Sequence, residues 1–128
     1  KIETVEGCPE ISEYTTAHFK TLQLDNITII NETINDALNQ LKSKQYDLVF
    51  FDGNHQKSAT LNYFELLLPT INNETVWIFD DIYWSKDMTE TWEVIKQLPK
   101  VTVTVDTFFW GLVFFRKEQV KQHFIIRV

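Results

Sequence analysis

Tyr46-Asp47-Leu48-Val49-Phe50-Phe51-Asp52-Gly53-Asn54-His55 is the stretch on which the reading of this chain turns. Four consecutive apolar residues, Leu48 to Phe51, stand between polar ones and run into Asp52-Gly53. That pattern predicts a short strand buried on both faces and stopped by a turn. A carboxylate then stands at the strand's carboxyl end, the edge at which open α/β sheets bind ligands. His55 follows closely enough to share that crevice. A second strand of the same design, Val76-Trp77-Ile78-Phe79, ends in Asp80-Asp81. Two such strands deliver three acids to one edge.

Outward from this centre, strands and helices alternate. Ile2 to Glu6 reads as a short strand ending at Gly7. Cys8-Pro9-Glu10 opens a helix, because proline suits a first turn and an acid there complements the dipole. Ile11, Tyr14, Thr15, His18, Phe19 and Leu22 recur at helical spacing and predict an apolar face. Ile27 to Ile30 is a β-branched strand, and Asn31-Glu32-Thr33 is a turn and cap before a helix over Ile34 to Leu41. Lys57 to Leu68 is a third helix, ended by Pro69. A fourth runs from about Asp87 to Leu98. Val101 to Val105 and Trp110 to Phe115 are joined by too short a link for a parallel crossover, so they predict an antiparallel pair. Gln119 to Phe124 reads as a last short helix. The order predicts one α/β domain over 1–128, a doubly wound, mostly parallel sheet with a C-terminal antiparallel hairpin.

Composition narrows the function classes. With 44% hydrophobic and 23% charged residues the chain is an ordinary globular one. A net charge of -6 without a Lys/Arg cluster excludes a nucleic-acid surface, which needs basic residues to displace counterions. No apolar run reaches the roughly 18 residues of a membrane span. The single Cys8 makes no internal disulfide, which points to a reducing, cytoplasmic setting. Asn26, Asn31 and Asn73 open Asn-x-Thr triplets, which act as glycosylation acceptors only in a secreted protein and often arise by chance. The chain starts at Lys1, already inside a strand pattern, which suggests that a segment precedes it.

Val5-Glu6-Gly7, Asp52-Gly53-Asn54-His55, Ile78-Phe79-Asp80-Asp81-Ile82 and the closing Phe114-Phe115-Arg116, in this order and spacing, resemble the class I S-adenosylmethionine-dependent methyltransferases, in particular the small-molecule O-methyltransferase branch. The resemblance implies a Rossmann-like methyltransferase fold with S-adenosylmethionine as cofactor. In that family the first strand ends in a glycine-rich loop, and the second in an acid that binds the ribose. Glu6-Gly7 is similar to the second of these. Nothing matches the first, since the only glycines are Gly7, Gly53 and Gly111. The resemblance therefore implies a fold truncated at the N-terminus, lacking the first strand and its loop and inactive alone.

It also assigns candidate residues. Glu6, Gly7, Thr33 and Asp52 are the cofactor-binding candidates, with Thr33 at the family's adenine turn. Metal-dependent members hold a divalent cation, usually magnesium, and Asp52, Asp80 and Asp81 fall on those ligand positions. A hard cation takes oxygen ligands and can hold a substrate hydroxyl as the alkoxide. His55 is similar in placement to the histidine of related sugar methyltransferases, and imidazole titrates close enough to neutrality to accept a hydroxyl proton. His55 and Asp52 are thus the catalytic candidates.

Each residue also has a purely structural reading. Glu6 is equally a solvated strand-end acid, Asp52 a turn residue, Asp80 and Asp81 helix caps, Thr33 a cap, and His55 a surface loop histidine. Tyr83, Trp84, Phe108, Phe109 and Trp110 line an acceptor pocket or simply pack. The leading expectation is O-methylation of a small hydroxylated or sugar acceptor. The alternative is a non-catalytic α/β binding or oligomerisation module, in which the unpaired Ile2 and Leu48 strands find partners by compacting the sheet or forming a homodimer.

Overall fold

The computed structural model describes residues 1–127; Val128, the end of the 1–128 span, lies outside the described residues. The chain divides into two compact units, Lys1–Leu41 and Lys42–Val128, and each is taken by itself. No helix among the described residues is long and apolar enough to cross a membrane.

The first unit holds β1 (Ile2–Val5), α1 (Pro9–Thr21), β2 (Ile27–Ile30) and α2 (Ile34–Leu41). β1 and β2 pair in parallel, Ile2 with Ile27 through Val5 with Ile30, and α1 is the crossover that a parallel pair needs. The helix forms where the sequence places it, but its apolar face does not bury as expected. Ile11 is 52% and Tyr14 74% exposed, and only Ser12 on this helix is buried. A two-stranded sheet offers too little surface to cover so wide a stripe, and Tyr14 stacks instead on His18, ring centres 6.3 Å apart. α2 is better buried, through Ala37, Leu38 and Leu41.

The second unit contains β3 (Leu48–Phe51), α3 (Lys57–Leu67), β4 (Val76–Phe79), α4 (Lys86–Gln97), β5 (Val103–Asp106), β6 (Gly111–Phe114) and β7 (Gln122–Ile125). Its sheet runs in the order β3-β4-β6-β5-β7. β3 is parallel to β4, β6 is antiparallel to both β4 and β5, and β7 is parallel to β5. The sheet is thus parallel-rich, with the expected hairpin present. The antiparallel strand lies inside the sheet and not at its end.

Two further expectations are corrected. Gln119 to Phe124 does not form a helix: residues from Gln122 enter the sheet as β7. So short a helix gains little on its own, whereas the open edge of β5 offers a full ladder of backbone partners. Nor is Leu48–Phe51 buried on both faces, since Leu48 and Phe50 are 56% and 46% exposed. Within this unit α3 and α4 cover the face that carries Trp77, Phe79 and Gly111, as the Phe64–Trp77 ring contact at 4.9 Å and the Trp92 ring against Gly111 show. Leu48 and Phe50 point the other way.

The core on the covered face is aromatic. Trp77, at 0% exposure, meets Phe51, Phe64 and Phe115 at ring-centre distances of 5.3, 4.9 and 4.9 Å, edge to face. Gly111 is there because no side chain fits: a Cβ would stand 2.6 Å from the six-membered ring of fully buried Trp92. Gly111→Ala is therefore expected to cost about 2–3 kcal/mol by overpacking, read as a lowered midpoint in denaturant unfolding.

β7 brings its own pH dependence. The His123 Nδ1 lies 2.8 Å from the Oγ1 of buried Thr104. Burial, reinforced by the nearby charges of Lys96 and Lys121, pushes the imidazole below its ordinary value. A histidine lowered on folding stabilises the fold above its unfolded value, near 6.5, and that contribution is lost as pH falls through the lowered folded value. Amide exchange of β7 is expected to accelerate on acidification through that window, and His123→Gln to remove this component.

Candidate active site

The registers place the ends of five strands in one row. Phe51, Phe79, Gly111, Asp106 and Ile125 are successive cross-strand partners from β3 to β7. The loops after β3 and β4, the tip of the β5–β6 hairpin and the residues after β7 therefore leave the sheet along one edge. That edge gathers Asp52, His55, Asp80, Asp81, Tyr83, Phe108 and Arg127.

His55 is held between two acids. Its Nε2 lies 3.7 Å from Asp52 Oδ1 and 3.8 Å from Asp81 Oδ2, and its side chain is only 25% exposed. These are ion-pair distances, longer than hydrogen bonds. The backbone bends to bring them together. Asn54 and Asp81 both have positive φ, 49° and 53°, a region that Asn and Asp tolerate better than other side chains. Asn54 is steadied by a hydrogen bond from its Nδ2 to the Tyr63 hydroxyl on α3. The Asp80 N–H donates to the Phe51 carbonyl at 3.0 Å and carries the β3–β4 ladder one step past β4. The carboxylates of Asp52 and Asp81 thus converge on an imidazole. Among the described residues no group of three His, Cys, Asp or Glu side chains is placed to hold a metal ion.

Beyond Asp81 the loop turns through Tyr83 and Trp84. It is tied to the hairpin by the Ile82 N–H, which donates to the Phe109 carbonyl at 3.4 Å. Asp81, Tyr83, Trp84, Phe108 and Phe109 line a cavity of about 180 Å³. Behind it lies a network that the sequence did not single out. Asp106, 3% exposed, accepts hydrogen bonds from the Tyr83 hydroxyl, from Arg127 Nη1 at 2.9 Å and from the Phe108 N–H at 2.8 Å. Burial pushes the Asp106 carboxyl up, but these donors outweigh it and hold the group below its ordinary value. The Tyr83 hydroxyl moves the other way, raised by burial and then by its bond to Asp106. Asp106 ends a strand run, Val103-Thr104-Val105, as Asp52 and Asp80 follow Leu48–Phe51 and Val76–Phe79. The same pattern would have found it.

In the first unit, Glu6 stands one residue past β1. Its Oε1 accepts the Cys8 N–H at 2.8 Å, and its carbonyl accepts Asn31 Nδ2 at 2.7 Å. At Gly7 an added Cβ would lie 3.7 Å from the Glu32 carbonyl, an ordinary contact. Thr33 caps α2: its hydroxyl donates to Asp36 Oδ2 at 2.7 Å and accepts the Asp36 N–H at 3.3 Å.

Residues 1–82 match the family model described as a methyltransferase domain. The chain belongs to this methyltransferase family. Its fold is that of solved methyltransferases. Cofactor-bound Rv0187 from MTB superposes with a TM-score of 0.77 at 17% identity, over 92% of this chain and 62% of that one. The S-adenosylhomocysteine-bound methyltransferase PaMTH1 of Podospora anserina gives 0.72 at 17%, over 91% and 61%. A Klebsiella pneumoniae protein described as a candidate O-methyltransferase gives 0.71 at 18%, over 89% and 61%. The family chain thus spans about three fifths of the length of these proteins. No curated protein matches it by sequence.

Proposed function

We propose that the protein carrying this chain transfers a methyl group from S-adenosylmethionine to a hydroxyl of a small-molecule acceptor, with His55 as the base. The observation that carries this reading is the imidazole set between Asp52 and Asp81 at the sheet edge, in a chain of the methyltransferase family.

When bound, the cofactor supplies a methyl on a cationic sulfur, which departs as a neutral thioether. The chain's part is to ready the oxygen. His55 Nε2 would take the proton of the acceptor hydroxyl, and Asp52 and Asp81 would stabilise the imidazolium so formed. Fixed carboxylates beside a developing positive charge lower the barrier without reorganising, and positioning the reactants supplies much of the rest. Glu6 is the proposed ribose contact through its carboxylate, with Gly7 and Thr33 as the neighbouring cofactor candidates.

The finer reading, in which Asp52, Asp80 and Asp81 hold magnesium, makes a different prediction. The experiment is transfer of labelled methyl to hydroxylated acceptors by the full-length protein, with and without EDTA. A base-driven reaction survives the chelator, and a cation-held alkoxide does not. Absence of transfer to any acceptor would sink the methyltransferase reading.

A further inference from the structure

Phe108 occupies a backbone conformation that its side chain does not favour. It sits at the tip of the β5–β6 hairpin with φ +81°, and the Thr107 N–H donates to the Trp110 carbonyl at 2.9 Å across a two-residue loop. Two-residue hairpins do require positive φ at the first loop position, but glycine, asparagine or aspartate normally supplies it. All three glycines of this chain have ordinary φ, whereas the tip carries an aromatic. Core burial does not explain the choice, since Phe108 remains 49% exposed. Strained positions of this kind persist when surrounding contacts over-determine them, and they gather at functional sites.

The surrounding contacts are specific. The Phe108 N–H is fixed by Asp106. Its ring lies 5.6 Å from that of Tyr83 and 5.2 Å from that of Phe109, and the Arg127 guanidinium stands over it at 5.7 Å. Arg127 is itself held by Asp106. One buried carboxylate thereby sets the tip, the arginine and Tyr83. What this assembly builds is one wall of the cavity lined by Asp81, Tyr83, Trp84, Phe108 and Phe109.

We propose that Phe108 is a specificity-determining residue: the hairpin bears the strained tip so that its ring forms the wall against which a flat ring of the acceptor packs. The inference rests on the functional reading above and deepens it. Two observations set the ligand. The lining is aromatic on several sides, and a ring's faces and edges match such walls. The volume, about 180 Å³, compares with the roughly 150 Å³ of a cavity that takes benzene, which matches the pocket to a single substituted ring. Asp81 belongs both to this cavity and to the pair around His55, so the cavity adjoins the proposed base.

The test uses the full-length protein and two probes with adjacent hydroxyls, catechol and cis-cyclohexane-1,2-diol. Their binding is followed by tryptophan fluorescence, since Trp84 lines the cavity and is largely exposed. The parent is expected to prefer catechol. Phe108→Gly is expected to weaken catechol by about tenfold, the scale of an aromatic contact, to leave the diol unchanged, and to melt no lower than the parent. Phe108→Leu, which keeps an apolar side chain but no ring, should lose the preference as well. Equal binding of both probes by the parent would overturn the proposal. So would a glycine variant that keeps the preference but melts several degrees lower, the mark of a ring that only packs. Because neither measurement needs the cofactor, failure of the methyltransferase reading shows separately, as absence of S-adenosylmethionine binding.

Discussion

Trp77→Ala is expected to remove about 4 kcal/mol of unfolding free energy, within the range for truncating a buried tryptophan. Trp77 is 0% exposed and central to a cluster in which Phe51, Phe64, Phe79 and Phe115 all meet its ring. These residues come from β3, β4, α3 and the end of β6, so the cavity left by alanine has walls on four elements and none can collapse alone. A domain holds only about 5–15 kcal/mol in total, and the variant should stand close to its unfolding threshold. Trp77→Phe gives the contrast. Its indole Nε1 has no hydrogen-bond partner among the described residues, so phenylalanine removes an unsatisfied donor along with some volume, and the loss should be less than half as large. Urea unfolding of both variants checks the pair.

The second large effect is catalytic. His55→Gln is expected to lower kcat by about 10²- to 10⁴-fold, the usual contribution of a positioned base, while leaving S-adenosylmethionine affinity unchanged. Asp52→Asn and Asp81→Asn each remove one of the two charges facing the imidazole, and each should lower kcat less than loss of the base. Combined with His55→Gln, the two substitutions should add almost nothing, because residues acting as a unit are not additive. Rescue by added imidazole separates this from a structural role: the glutamine variant should recover part of its lost rate, which a merely structural histidine would not allow.

Much of the frame was legible because strand and helix periods differ. The helices over Pro9–Thr21, Ile34–Leu41, Lys57–Leu67 and Lys86–Gln97 carry three- and four-residue spacings with proline or capping residues at their ends. The position of Asp52 and His55 just past the Leu48–Phe51 strand was legible from the strand-turn pattern alone. What the sequence hid has physical causes. An unbroken run such as Leu48–Phe51 has no alternation, so it cannot show that only one face is covered. Gln122–Ile125 became a strand because β5 left an edge open, a tertiary fact. Phe108 stands where a glycine would signal positive φ, so its conformation left no mark in the residue type. The convergence of Asp81 on His55 likewise depends on the register of β3 with β4.

Calorimetric titration of S-adenosylmethionine into the full-length protein tests the proposed function most directly. Saturable binding is expected, weakened by about tenfold in Glu6→Gln, which keeps the side chain's shape but loses the charge that strengthens a hydrogen bond to the ribose. Absence of binding by the parent protein would contradict the account.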